Sequence, residues 1–189
     1  LTELTNAKRP ESRLFADYYP ELVQNLRKGL FASCWHESRF ESAALWDQYG
    51  RAAGLAITST IGRLKASDRT PSESIIGRVQ YLDFSNPSLD GWSTHIFTPP
   101  LLKRKSFEHE REVRLLKLVT PLDDSKRVDF NLSPSRLSLS VHLGVLIESV
   151  YISPESPDWM MRPVEELLRR FGLGNIAVRH SGLYDPRVL

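Results

Sequence analysis

Glu108, Glu110 and Glu112 stand on alternate positions of the stretch KRKSFEHEREVRLLKL, and Arg114 continues the alternation. In an extended strand all four side chains point to one face, with successive members a pleat repeat of roughly 7 Å apart. A Glu-x-Glu pair in that arrangement suits transfer chemistry that cleaves the bond between nicotinamide and ribose. Breaking that bond builds positive charge on the sugar, and a carboxylate facing the charge lowers the barrier by electrostatic preorganisation. Glu112 is the candidate for that role, and Glu110, two residues earlier, would orient or deprotonate the acceptor. The same alternation also describes the solvated face of a half-buried strand, with Arg114 pairing Glu112 or a cross-strand neighbour.

Other residue sets offer weaker chemistry. Asp83, followed at a distance by Glu112-Val113-Arg114, has the outline of a metal-dependent nuclease site with two carboxylates beside a basic residue. The final position of that outline is ordinarily Lys, and Arg stays charged and shuttles protons poorly. Cys34 and His36 share a strand face as a nucleophile pair would, but Cys34 in a short apolar strand is expected to be a small core residue. The five histidines show no metal-ligand spacing, and with a single cysteine no structural zinc site is expected. Trp46 and Tyr49, one helical turn apart, are expected to pack in the core, Trp46 with Leu45 or Tyr49 against the strand at 54–60. Lys103 to Lys105 form the densest basic cluster, a phosphate site or a solvated charge run. Gly172 and Gly174 follow a helix rather than open one, which makes them a helix stop and not a nucleotide loop.

These residues sit in an ordinary globular composition: 189 residues, 41% hydrophobic and 25% charged, with a net charge of +2. Such a length fits one domain, 1–189, with a core that needs no disulfide or metal. The charge balance is too mild to announce a nucleic-acid binder, so that partner class is only weakly supported. One cysteine precludes an internal disulfide and fits a reducing, cytoplasmic compartment. No apolar run approaches the roughly 20 residues of a membrane span. The polar start LTELTNAKRPE does not read as a signal peptide, and the chain begins with Leu1 rather than Met, as a piece of a longer reading frame or a processed chain would.

The elements that must position the candidates alternate irregularly. A helix is predicted from Pro20 with Gly29 as its stop, within an N-terminal lead-in over 1–30. LFASCW, GLAITST, IIGRVQYLDF (75–84), residues 111–119 and 149–153, and NIAVRHS (175–181) read as strands, most of them sharing one curved sheet. Gly77 marks a bulge or a close backbone approach. Ser42 caps a helix that ends near Gly50. The turn LDDS joins 111–119 to RVDFNL as a hairpin, and residues 85–100 form a loop. PVEELLRRFG is a helix that Pro163 opens or kinks and Gly172 stops. Strands that outnumber strong helices without regular alternation predict an α+β domain with a curved, antiparallel or mixed sheet and several short helices.

Three segments in this order, SCWHESRFESAALWDQYGRAAGLAI, KRKSFEHEREVRLL and VLIESVYISP, resemble the bacterial domain-of-unknown-function family numbered 2971. The matching positions are Cys34, Trp35, Leu45, Trp46, Tyr49, Gly54, Lys103, Phe107, Glu110, Glu112 and Arg114. They define a family-like core over 31–181, followed by a tail over 182–189. Family members usually carry an aromatic-basic-aromatic strand and an Asn-Asp-Pro segment upstream, and neither precedes Phe31 here, as in a shortened member or one whose front part is missing. The resemblance implies a bacterial protein of the kind found near phage-defence and toxin genes. The Glu-x-Glu pair is also similar to that of ADP-ribosyltransferases, which use a basic or His residue on an early strand and an aromatic to hold nicotinamide. That similarity implies NAD as the cofactor, Tyr49, Trp46 or Tyr81 as the aromatic, Lys103 and Arg114 as further substrate-binding residues, and Ser59 as an echo of a serine-threonine strand. The opposing expectation is a non-catalytic interaction or scaffold domain.

Overall fold

The computed structural model describes residues 24–83 and 97–185. The start of the helix expected from Pro20, most of the loop over 85–100, the last residue of the strand 75–84 and the end of the tail lie outside the described residues. The architecture is α+β, with antiparallel and mixed sheets and short helices, as the sequence predicts. Among the described residues the strands are shared among two three-stranded sheets and one pair rather than gathered in one sheet. The chain divides into two compact units, each drawn from three separate stretches.

The first unit takes its described residues from Leu1–Trp35, Glu73–Glu108 and Val113–Leu137. Helix α1 (24–29) ends at Gly29, and β1 (Leu30–His36) follows at once. In the sheet order β1-β6-β3, strand β6 (Glu112–Leu118) is central and runs antiparallel to β3 (Ser74–Arg78), with Ile76 opposite Leu115 and Gly77 opposite Arg114. A central strand can be apolar on both faces, and Val113, Leu115 and Leu116 of β6 are all buried. The pairing runs through Gly77 without a bulge; a Cβ there would meet the Leu101 side chain at 2.6 Å.

The run IIGRVQYLDF, expected as one strand, breaks at buried Val79. Before the break β3 pairs with β6. After it β4 (Gln80–Leu82) pairs in parallel with β5 (Leu102–Arg104), Tyr81 opposite Lys103. Two sets of pairing partners, not a turn signal, divide the run. The expected hairpin after β6 is reduced to a single antiparallel bridge, Leu122 to Val128. Asp123 closes its turn by accepting from the amides of Ser125 and Arg127 at 2.9 and 2.8 Å. Cys34 corrects an expectation: it is exposed, as are its neighbours Ala32 and Ser33, because β1 is the edge strand of its sheet and not an interior one.

The second unit comprises His36–Ser72, His109–Glu112 and described residues from Ser138 onward. Its sheet is mixed: β7 (Ser149–Ile152) lies between antiparallel β2 (Leu55–Thr58) and parallel β8 (Ala177–His180). Val150 and Ile152 of β7 meet Val164 and Leu168 of α5 (Met161–Arg170), and Ile176 completes the core. Pro163 lies in the first turn of α5, where its missing N–H leaves no helical bond unmade, so it opens the helix and does not kink it. The helix stops where expected. Gly172 adopts φ +71°, its N–H donates to the Arg169 carbonyl at 3.0 Å, and Leu173 donates to the Leu168 carbonyl at 2.8 Å. That pair of bonds is the Schellman motif, and Leu173 packs against the same core.

Helix α2 (Ala43–Tyr49) is capped by Ser42, whose side chain accepts from the Leu45 amide at 3.4 Å. Two short helices were not anticipated. The first, α3 (Ile61–Ser67), begins where Thr60 caps the Arg63 amide at 3.1 Å; α4 (Leu143–Leu146) precedes β7. Among the described residues no helix is long and apolar enough to cross a membrane.

Candidate functional site

Residues Lys105–Glu110, which the same-face argument requires to be extended, form a 3-10 helix directly after β5, and the strand expected from about Arg111 begins at Glu112. Glu108, Glu110 and Glu112 therefore do not share a strand face, and the pleat argument for a Glu-x-Glu pair is overturned. Local contacts explain the coil: the Lys103 ammonium lies 4.8 Å from the centre of the Phe107 ring, an i, i+4 cation–π pair that a strand could not close. Arg111 separates the two glutamates in the left-handed region, with φ +41°. A non-glycine residue there carries backbone strain.

The strained turn is held from the end of β1. The Nδ1 of His36 donates to the Glu110 carbonyl at 2.7 Å, because a carbonyl can only accept. The next residue, Glu37, donates its amide to the Arg111 carbonyl at 2.9 Å. With Nδ1 fixed as the donor, the neutral ring presents an unprotonated Nε2. All of these groups belong to the second unit. Glu112 is 7% exposed, Glu110 is half-buried and Glu108 exposed, so the carboxylates do not line an open wet face either. Both Glu110 and Glu112 are engaged by neighbouring groups, as a charge withdrawn from water requires.

The remaining candidates disperse. Lys103 and Arg114 fall in the first unit, where the Arg114 guanidinium donates to the Pro100 carbonyl at 2.5 Å. Trp46 is buried as expected: its Nε1 donates to the Glu41 carboxylate at 2.9 Å and its ring covers Gly50, where a Cβ would lie 2.3 Å from the indole. Tyr49 departs from the expected packing and is 71% exposed, with the Gln48 amide donating to its hydroxyl at 3.0 Å. The Ser59 hydroxyl, just beyond β2, donates to the Leu146 carbonyl at 2.6 Å and so ties the end of that strand to α4. Tyr81 lies on β4 in the first unit.

His36 is the residue that sequence reasoning placed in the wrong company. It was paired with Cys34 by strand alternation, whereas its partner is the backbone 74 positions downstream. Only its place on an early strand, beside the Trp35 of the family-like motif, pointed to it. Among the described residues no group of three or more His, Cys, Asp or Glu side chains is placed to hold a metal ion. A groove of about 460 Å³ between α5 and β8, lined by Glu165, Leu168, Arg169, Asn175, Ile176 and Val178 among others, contains none of the candidate residues. Comparison with known proteins adds no relative: no protein-family model, no curated protein and no solved structure matches the chain.

Proposed function

We propose that the chain is a nucleotide-dependent transferase, similar to ADP-ribosyltransferases, that uses NAD in a bacterial toxin or defence role. The observation that carries this reading is Glu112, a carboxylate with 7% exposure placed directly behind the left-handed Arg111. Strain at a non-glycine residue persists where the surroundings over-determine it, and such positions cluster at functional sites. A carboxylate shielded from water stabilises a developing sugar cation more strongly than one in bulk solvent. Glu112 is the cation-facing group in this scheme. Glu110 keeps the acceptor-orienting role, its direction set by the Arg111 turn instead of a shared pleat. The family-like motif supports the same pair.

Glu112→Gln keeps the shape and removes the charge. It is expected to leave the unfolding midpoint within a few degrees and to lower NAD-dependent transfer, or toxicity in cells, by about 100-fold or more. Glu108→Gln, exposed and outside the motif, is the control and should change neither. Calorimetric titration with NAD, and separately with Mg²⁺, distinguishes the transferase from the nuclease outline. A midpoint that falls sharply for Glu112→Gln, with no NAD bound by the parent chain, would make the buried glutamate a structural group. A second reading, a non-catalytic interaction domain, draws on the aromatic side chains left in solvent, Phe40 at 83% and Tyr49 at 71% exposure.

A further inference from the structure

Helix α5 buries Val164 and Leu168 against β7, yet its apolar surface does not stop at the core. Trp159, on the 3-10 turn that opens onto the helix, is 68% exposed, Leu167 is 51% exposed and Phe171 at the cap is 70% exposed. With exposed Pro163 they recur every fourth residue, which on a helix is one continuous ridge. Single exposed apolar residues need no explanation, but a contiguous row of them marks a surface that something covers.

A row of charges runs beside that ridge at the same spacing: Asp158, Arg162, Glu166 and Arg170, with signs that alternate along the helix. All four are exposed. Among the described residues Glu166 contacts Arg169 and lies 3.6 Å from Arg170, while Asp158 and Arg162 pair with no described residue. An alternating row is self-complementary in only one sense. Laid parallel and in register on a copy of itself, as a two-fold axis along the helix would require, it opposes like charges at every position. Laid antiparallel about a two-fold axis near Val164, it sets Asp158 against Arg170 of the second copy and Arg162 against Glu166. The same axis, within one residue, brings Trp159 onto Phe171 and Pro163 onto Leu167.

We infer that α5 is an isologous docking surface whose occupant is α5 of a second copy of this chain, antiparallel to the first. A two-fold contact requires one patch to complement itself, and both rows meet that condition. The ridge of a helix about 15 Å long supplies less than the roughly 800 Å² per partner of a standard interface, so the dimer is weak. Half-dimerisation is expected near ~50 µM.

Sedimentation equilibrium on the 189-residue chain tests the inference. The chain should be monomeric at about 1 µM and increasingly dimeric toward about 200 µM. Arg162→Glu and Glu166→Arg should each weaken association by about 10-fold or more, since each places like charges across the axis. The double variant restores opposite charges and should return association to the parent level. Both sites are exposed, and circular dichroism confirms that each variant folds. A chain monomeric at every concentration overturns the inference and leaves the ridge to a different partner. So does a dimer that ignores the single substitutions, or a double variant no better than its parents.

Discussion

Gly172 and Arg111 both adopt positive φ, and their surroundings differ in almost every other respect. Gly172 ends α5 through bonds that span five residues or fewer, and it has no Cβ to strain. A Cβ at this position would meet nothing within 4 Å. Arg111 has a full side chain, and the turn around it is held by His36 and Glu37, each 74 positions from its partner. A local stop of the first kind ends a helix and delivers Leu173 to the core. A distant clamp of the second kind maintains a conformation the chain would not choose, and it does so beside a buried carboxylate. The contrast separates a turn held by bonds between near neighbours from one held by partners far along the chain.

The largest effects should come from β6, which follows the Arg111 turn, and from β7, whose core receives Leu173. Leu116 of β6 and Ile152 of β7 are both fully buried, and truncation of either to Ala should cost about 2–5 kcal/mol in urea unfolding. A cost below about 1 kcal/mol for Leu116→Ala would break the comparison, because β6 would then be peripheral. Gly172→Ala should cost about 1 kcal/mol. The added methyl meets open space, so the penalty is that of the backbone alone. Arg111→Gly has the smallest effect and the opposite sign. Relief of positive-φ strain slightly exceeds the extra freedom of the unfolded chain, so thermal unfolding should shift upward by about 0.5 kcal/mol. If the strained turn aims Glu112, the same variant should bind NAD more weakly in calorimetry while being the more stable protein. A loss of stability would show that the Arg111 side chain, and not its backbone, is what the structure needs.

The region around α5 was legible because its signals are local. PVEELLRRFG carries the helical apolar spacing, a proline that fits a first turn and a glycine that fits a stop, and each acts within a few residues. The caps at Ser42 and the burial of Trp46 were legible for the same reason. The candidate site was not. The Glu-x-Glu-x-Arg alternation fits a strand, but Lys105–Glu110 coils because β5 ends at Arg104 and Lys103 reaches Phe107. Likewise IIGRVQYLDF contains no break in its own residues, and its division reflects which strands lie alongside.

The sequence by itself determined the α+β class, the helix stops and the apolar runs that become β6 and β7, since propensity and periodicity act between near neighbours. Tertiary structure decided which strands pair, that Cys34 faces solvent on an edge strand, and that Arg111 is bent left-handed by groups on β1 and just beyond it. It also decided that Glu112 is withdrawn from water while Glu108 is not. Those outcomes depend on partners dozens of residues away, and the energy of a distant contact leaves no periodic trace in the residues that receive it.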